Sequence, residues 1–296
     1  MQLLAPRPSS SAALVLTRLC ALLALLAGLL PALSQAQGPG SVDPASSDLQ
    51  ISGGQGKVLS IAAQSDGKAL VGGSYQNIDG ATNQGSLARL ETGGGFDDGF
   101  AAGVNGLVNA IAVLPDGKIL IAGNFGSVNG SSALLLARLL PDGRLDDDFD
   151  SGTTFESLEV NALAVQPDGK ILVGGRFIVM GGELRTNLAR LEADGPVDPS
   201  FNTSTSGTVY SIALQEDGKI LIGGDFTNVS PSGAESPTPR SYLARLNADG
   251  TVDEGFAPQP NGSVYAILPQ PDGKILVGGG FSSLQPAGDP APTQRS

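Results

Sequence analysis

A fold made of small antiparallel β-sheets arrayed in series is predicted by three observations. Glycine and proline account for 42 and 20 of 296 residues, and tryptophan is absent; this composition disfavours helical bundles and suits short strands joined by tight turns. The tripeptide Asp-Gly-Lys begins at Asp66, Asp116, Asp168, Asp217 and Asp272, at separations of 50, 52, 49 and 55 residues, and nine residues after each Asp stands an aromatic, Tyr75, Phe125, Phe177, Phe226 or Phe281. Leu-Ala-Arg-Leu recurs around Arg89, Arg138, Arg190 and Arg245, followed at fixed offsets by Asp97, Asp146, Asp198 and Asp253, then by Phe100, Phe149, Phe201 and Phe256. A repeat of this length holding four strand-like segments is the sequence mark of a propeller blade. The expected fold is therefore all-β: a β-propeller of four-stranded antiparallel blades, about five present with the last incomplete, in units of roughly 57–100, 107–149, 159–201, 208–256 and 263–285.

The chain opens with Arg7 and Arg18, an apolar run at 19–30 broken by Pro31, and small residues at Ser34 and Ala36. This pattern predicts a cleaved signal peptide over 1–36. A membrane anchor is the rival, but the run is shorter than the roughly 20 apolar residues that span a bilayer. Cys20 lies inside the run, and Arg18-Leu19 before it does not form a lipoprotein box. Cleavage would remove two arginines and no acid, leaving 15 basic against 29 acidic residues, a net charge of −14, with no cysteine. The expected product is secreted or held at the cell surface, has no membrane span, and is stabilised by its own core rather than by disulfides. The acidity excludes nucleic acid as a partner, since phosphate binding needs clustered Lys and Arg.

The third unit shows how a blade reads. Strands are predicted at 160–165, 170–174, 187–191 and 196–201, each rich in Val, Ile and Leu and bounded by Gly, Pro and Asp. Gln166-Pro167-Asp168-Gly169 predicts a tight hairpin turn, with proline presetting the first angle and glycine taking the left-handed position. Ala193-Asp194-Gly195 predicts the same between the third and fourth strands. The second strand shows little alternation, as expected of a strand covered on both faces.

Residues 41–285 resemble the delta-60 repeat family, bacterial β-propellers of undefined function. The resemblance is carried by segments such as Val209-Tyr210-Ser211-Ile212-Ala213, Asp217-Gly218-Lys219-Ile220-Leu221-Ile222-Gly223-Gly224-Asp225-Phe226 and Leu243-Ala244-Arg245-Leu246. Kelch repeats share the double glycine, but their tryptophan is absent here. What the resemblance implies is an exported propeller; it brings no catalytic residues.

At the ends, Gly40-Ser41-Val42-Asp43 matches Gly250-Thr251-Val252-Asp253 and predicts a fourth strand able to complete a last blade. Pro292-Thr293-Gln294-Arg295-Ser296 matches Pro237-Thr238-Pro239-Arg240-Ser241, which precedes a third strand. Residues 286–296 are accordingly expected to be a truncated loop of a longer parent protein.

Length changes fall at one end of the blades, around 151–158 and 228–240, and variable loops on a rigid scaffold are where ligands bind. A protein or glycan ligand is expected there and at the channel mouth. The repeated arginine faces the repeated aspartate across the hairpin and predicts a structural pair in each blade. Asp142, Asp146, Asp147, Asp148 and Asp150 raise calcium, although no calcium-loop pattern contains them. The pairs Gly72-Gly73, Gly174-Gly175, Gly223-Gly224 and Gly278-Gly279 end strands rather than open helices, so they predict close backbone approach rather than a phosphate loop. With no histidine in the chain, nothing activates a serine nucleophile. No catalytic residue, metal or cofactor is assigned. The expected function is a non-enzymatic binding or scaffold module; the alternative is a carbohydrate-active enzyme with a carboxylate pair in the channel.

Overall fold

The computed structural model describes residues 51–52, 56–75, 77–78, 85–152, 157–231, 234–285 and 293–294. The signal reading at 1–36, the closing strand at 40–43 and the loop residues 153–156 lie outside them. All regular structure in the described residues is β, and no helix there is long and apolar enough to cross a membrane.

Five blades follow one another along the chain. Their first strands are Lys57–Ala63, Val104–Val113, Ser157–Val165, Val209–Leu214 and Val264–Pro269. The second strands are Ala69–Ser74, Ile119–Val128, Ile171–Phe177, Ile220–Gly224 and Ile275–Gly279. Third strands, Leu87–Leu90, Leu136–Leu139, Leu188–Leu191 and Leu243–Leu246, pair antiparallel with the second strands of four blades. Successive first strands pack side by side around an axis. Among the described residues the sheets stay separate, with no strand pairing between the fifth blade and the first.

Each hairpin turn works as its sequence predicts. Gly67, Gly117, Gly169, Gly218 and Gly273 all take positive φ, between 80° and 88°. In each, the lysine amide donates to the turn aspartate, as in Lys170 N to Asp168 Oδ1 at 3.1 Å. The second strands of the middle blades are buried throughout Ile171–Gly175 and Ile220–Gly224, which accounts for their lack of alternation.

The fourth strand is shorter than the sequence predicts. In the third unit the expected strand at 196–201 is a single bridge between Val197 and Leu191. Asp198 ends it: its Oδ1 accepts the Ser200 amide at 2.8 Å, and the Phe201 amide donates to the Asp198 carbonyl at 3.3 Å. A local turn thus competes successfully with the ladder, and Pro199 has no N–H to offer it. The third strand also starts one residue late, because Asn187 takes φ 65°, as Leu135 and Tyr242 do at the matching places.

At the opposite end from the hairpin turns, short accessory sheets extend the blades. Ser204–Thr205 pairs with Asn228–Ser230, which pairs with Thr238–Pro239. Thr293–Gln294 meets Ser283–Leu284 in the same register that Thr238–Pro239 takes with Asn228–Val229.

The paired glycines have two separate jobs. A Cβ at Gly174 would strike Val209 of the next blade at 2.6 Å, and one at Gly223 would strike Val264 at 2.6 Å. The second glycine lies against its own first strand: a Cβ on Gly73, Gly123, Gly175, Gly224 or Gly279 would overlap the backbone carbonyl opposite it. Gly175→Ala is therefore expected to destabilise the fold by about 1–3 kcal/mol through overpacking. Gly93→Ala, with open space around it, should stay within about 0.5 kcal/mol of the parent. Urea unfolding midpoints compare the two.

Candidate functional site

Two constellations carry most of the polar chemistry, one repeated in the blades and one not. The repeated one is larger than the expected Arg–Asp pair. Arg89, Arg138, Arg190 and Arg245 place Nε 2.6–2.8 Å from Oδ2 of Asp97, Asp146, Asp198 and Asp253. The same oxygen receives the lysine of Asp-Gly-Lys, with Lys68, Lys118, Lys170 and Lys219 at 2.6–2.8 Å. Each guanidinium lies over the phenylalanine three residues past its aspartate, 4.5–4.9 Å from the ring centroid. The remaining edge of the arginine reaches the next blade: Arg89 Nη1 donates to Pro141 O, Arg138 to Ala193 O and Arg190 to Ala248 O, at 2.6–2.7 Å. Arg245 instead has a 3.4 Å contact with Gln215 of its own blade.

These contacts hold the carboxylates ionised. The Lys68 hydrogen bond, aided by Arg89, lowers Asp97 to about 2, and Lys219 leads the same effect at Asp253. At Asp146 and Asp198 burial is the largest single influence and opposes ionisation, yet the cations and neighbouring hydrogen bonds outweigh it.

The aspartates that raise calcium are not brought together as a metal site. Asp142 accepts from Arg144, Asp146 from Lys118 and Arg138, and Asp150 from the Gly152 amide. Among the described residues no group of three His, Cys, Asp or Glu is placed to hold a metal ion.

The second constellation lines the channel. In every blade the register of the first and second strands slips by one residue, after Val58, Val108, Val160, Val209 and Val264. A β-bulge leaves its extra residue unpaired and re-aims that side chain. The bulged residues are Leu59, Asn109, Asn161, Tyr210 and Tyr265, and all five line one cavity of about 230 Å³, with the two residues following each. The flanking positions are fixed in type: a valine before, then Ser or Ala, then Ile or Leu. The bulged column differs most from blade to blade, with Leu, Asn and Tyr at one position.

Four of its five side chains meet in pairs. Asn109 Nδ2 donates to Val160 O at 3.0 Å and lies 3.3 Å from Asn161 Oδ1. Asn161 is buried, and its Nδ2 has no hydrogen-bond partner. The Tyr210 and Tyr265 rings lie 5.4 Å apart, tilted by 59°. Tyr210 donates its hydroxyl to Asp225 Oδ2 at 3.0 Å; burial first, then this carboxylate, pushes the phenol up to about 12. Gly280 holds the matching place beside Tyr265. No lining residue is charged. Because the first strand enters from the blade-to-blade connection, this column lies toward the variable-loop end of the channel. A larger hollow of about 540 Å³ at the other end is lined mostly by the hairpin turns and strand ends of three blades.

The comparisons agree with this architecture. A family model described as "Domain of unknown function (DUF5122) beta-propeller" matches residues 64–100, 114–149, 166–201, 215–256 and 270–291. The chain belongs to this family. The DUF5122 segments each begin just ahead of an Asp-Gly-Lys turn and, in the first four units, end at the phenylalanine under the arginine. No curated protein matches the chain. Among solved structures, it is similar to a protein of unknown function from Bacteroides caccae (18% identity, 75% of this chain and 70% of that one, TM-score 0.41). It is also similar to the gluconolactonase XC5397 from Xanthomonas campestris (16%, 74% and 68%, 0.45) and to the WD40 β-propeller domain of Doa1 (18%, 77% and 62%, 0.46). At these identities and scores none of the three bears on the chemistry of this DUF5122 chain.

The sequence reading found the arginine–aspartate pair but missed the lysine, whose aspartate lies 28–34 residues along the chain. It also missed the bulged column. The available signal was one variable position inside the otherwise fixed Val-x-small-aliphatic pattern.

Two predictions follow from the repeated contacts. Arg190→Ala, which removes one of the two cations on a buried carboxylate and cuts the tie to the next blade, should cost about 1–3 kcal/mol. Arg245→Ala should cost less, because that arginine is more exposed and lacks the interblade bond. Chemical unfolding of both variants makes the comparison. The carboxylates at Asp97 and Asp253 have folded pKa values below the unfolded value near 4. Their stabilisation is complete above about pH 4 and is lost as pH falls toward 2, so the melting temperature should drop across that window. Asp97→Asn should flatten the drop.

Proposed function

We propose that this chain is an exported, non-enzymatic β-propeller of the delta-60 repeat type that acts as a binding or scaffold module. Its protein or glycan ligand sits at the variable-loop end, over the channel mouth. The observation that carries this reading is the bulged column: five positions face one cavity, carry three different chemistries (Leu, Asn and Tyr), and include no acid, thiol or imidazole. A glycosidase needs two carboxyl groups flanking the scissile bond. The acid nearest the column by contact, Asp225, accepts the Tyr210 hydroxyl, and this weighs for binding over hydrolysis. The export part rests on the N-terminal sequence pattern described above.

The test has two arms. Expression with the native N-terminus in a bacterial host, followed by N-terminal sequencing of the extracellular product, should give a chain starting at Gln37. A product that keeps residues 1–36 and stays in the membrane fraction would refute export. The purified protein, screened against glycan and peptide panels, should retain a ligand saturably and return it intact. Release of a shortened or hydrolysed product would establish the enzyme instead.

A further inference from the structure

We infer that the channel mouth binds one neutral sugar ring, held between the Tyr210–Tyr265 pair and the Asn109–Asn161 pair. This rests on the binding reading above and specifies its ligand class.

The argument begins with what the bulge does. Valine before the bulge and the aliphatic two residues after it pack between blades: Val209 and Ile212 touch Gly174 of the preceding blade, and Val264 and Ile267 touch Gly223. The bulged residue belongs to neither packing face. It is therefore the one side chain in the strand whose identity the ring does not dictate. A position with no packing duty could hold any residue, yet around the arc it presents two neighbouring amides followed by two neighbouring aromatic rings.

That pairing matches the surface of a sugar. A pyranose has faces of C–H bonds and a rim of hydroxyls, each of which both donates and accepts. Aromatic rings supply flat apolar surface that loses little conformational freedom on binding, and carboxamides supply a donor and an acceptor on one group. The Asn161 amide already uses its oxygen toward Asn109, while its nitrogen, in a buried side chain, has no partner. Buried donors are rarely left unpaired. A hydroxyl delivered into the channel satisfies it.

Other ligand classes fit less well. A charged ligand would enter a lining with no countercharge and lose its hydration without compensation. Anionic sugars and nucleotides are opposed further by the net charge of −12. A flat base calls for parallel stacking, and the two rings stand at 59° to one another. Size sets a limit as well: about 230 Å³ lies below the roughly 300–1,000 Å³ of pockets that enclose drug-sized ligands. One ring fits, either a free monosaccharide or the terminal residue of a neutral glycan.

With no tryptophan and two of the four tyrosines in the channel lining, a change in tyrosine fluorescence that is lost in Tyr265→Ala reads the site. The purified full chain is titrated with neutral monosaccharides, with neutral oligosaccharides, with glucuronate and with a peptide panel. The expected result is a saturable tyrosine response to a neutral sugar and none to glucuronate. Response to the oligosaccharide alone assigns the site to a glycan terminus, and response to the monosaccharide assigns it to the free sugar. Tyr265→Ala and Asn161→Leu should each weaken binding at least tenfold, Tyr265→Phe should retain it, and Asn161→Leu should leave the melting temperature unchanged or higher. Sugar binding undiminished in Tyr265→Ala and Asn161→Leu would overturn the assignment. So would saturable binding of a peptide with no response to any sugar, while leaving the binding module intact. Conversion of the sugar, or no ligand at all across the panels, would sink the binding reading itself.

Discussion

One carboxylate oxygen organises each complete blade. Oδ2 of Asp198 takes Lys170 from the start of the second strand and Arg190 from the third, while the aspartate itself stands on the fourth segment. Three successive pieces of chain are thereby fixed to a single point. The other oxygen accepts a backbone amide two residues on, which bends the chain and ends the strand. Two cations and these hydrogen bonds offset the cost of desolvating the acid, a condition that a lone buried ion pair often fails to meet. The arginine then passes the constraint outward, through its stack on Phe201 and its bond to Ala248 O in the next blade. Register within a blade and the stacking between blades share one residue.

With the outer part of the blade fixed in this way, the inner strand can carry an irregularity. The bulge needs the second glycine of each pair, because the slipped strand brings a carbonyl where a Cβ would lie. The first glycine has the different task of admitting the next blade's valine, and at that place Ala122 is tolerated. The distinction explains why the second position of the pair is glycine in all five blades while the first is not. What emerges is a strand with two packed faces and one residue left over, pointing at the axis. Scaffold and candidate site are thus separated at the level of single positions.

The repeat made the architecture legible, since the blade period, the turn glycines and the eight-residue offset from Arg190 to Asp198 are all local arithmetic. The features that escaped are those in which local arithmetic breaks. A fourth strand was expected at 196–201 because Pro-Val-Asp-Pro-Ser-Phe reads as extended chain, but Asp198 satisfies the Ser200 amide by itself and the ladder stops at Val197. Asn187 was placed inside a strand, whereas its left-handed backbone and its side-chain bonds to Phe177 N and Thr205 O make it the corner before one. The channel column was hidden for a related reason. Strand faces are assigned by a period of two, and a bulge inserts a residue that the period cannot place.

Separation of scaffold from site also separates their responses to pH. The blade contacts weaken in acid as Asp97 and Asp253 protonate, toward pH 2. The channel lining contains no carboxylate, imidazole or amine, and the Tyr210 phenol is held protonated up to about 12 by burial and by Asp225. Over the wide interval between, the lining does not change charge. Any pH dependence of ligand capture in that interval must then arise from the ligand or from charged groups outside the lining. A neutral sugar carries no titrating group, so its retention would be flat with pH unless those groups take part. The pH profile of binding thus separates a ligand seated in the channel from one held by the loops around it.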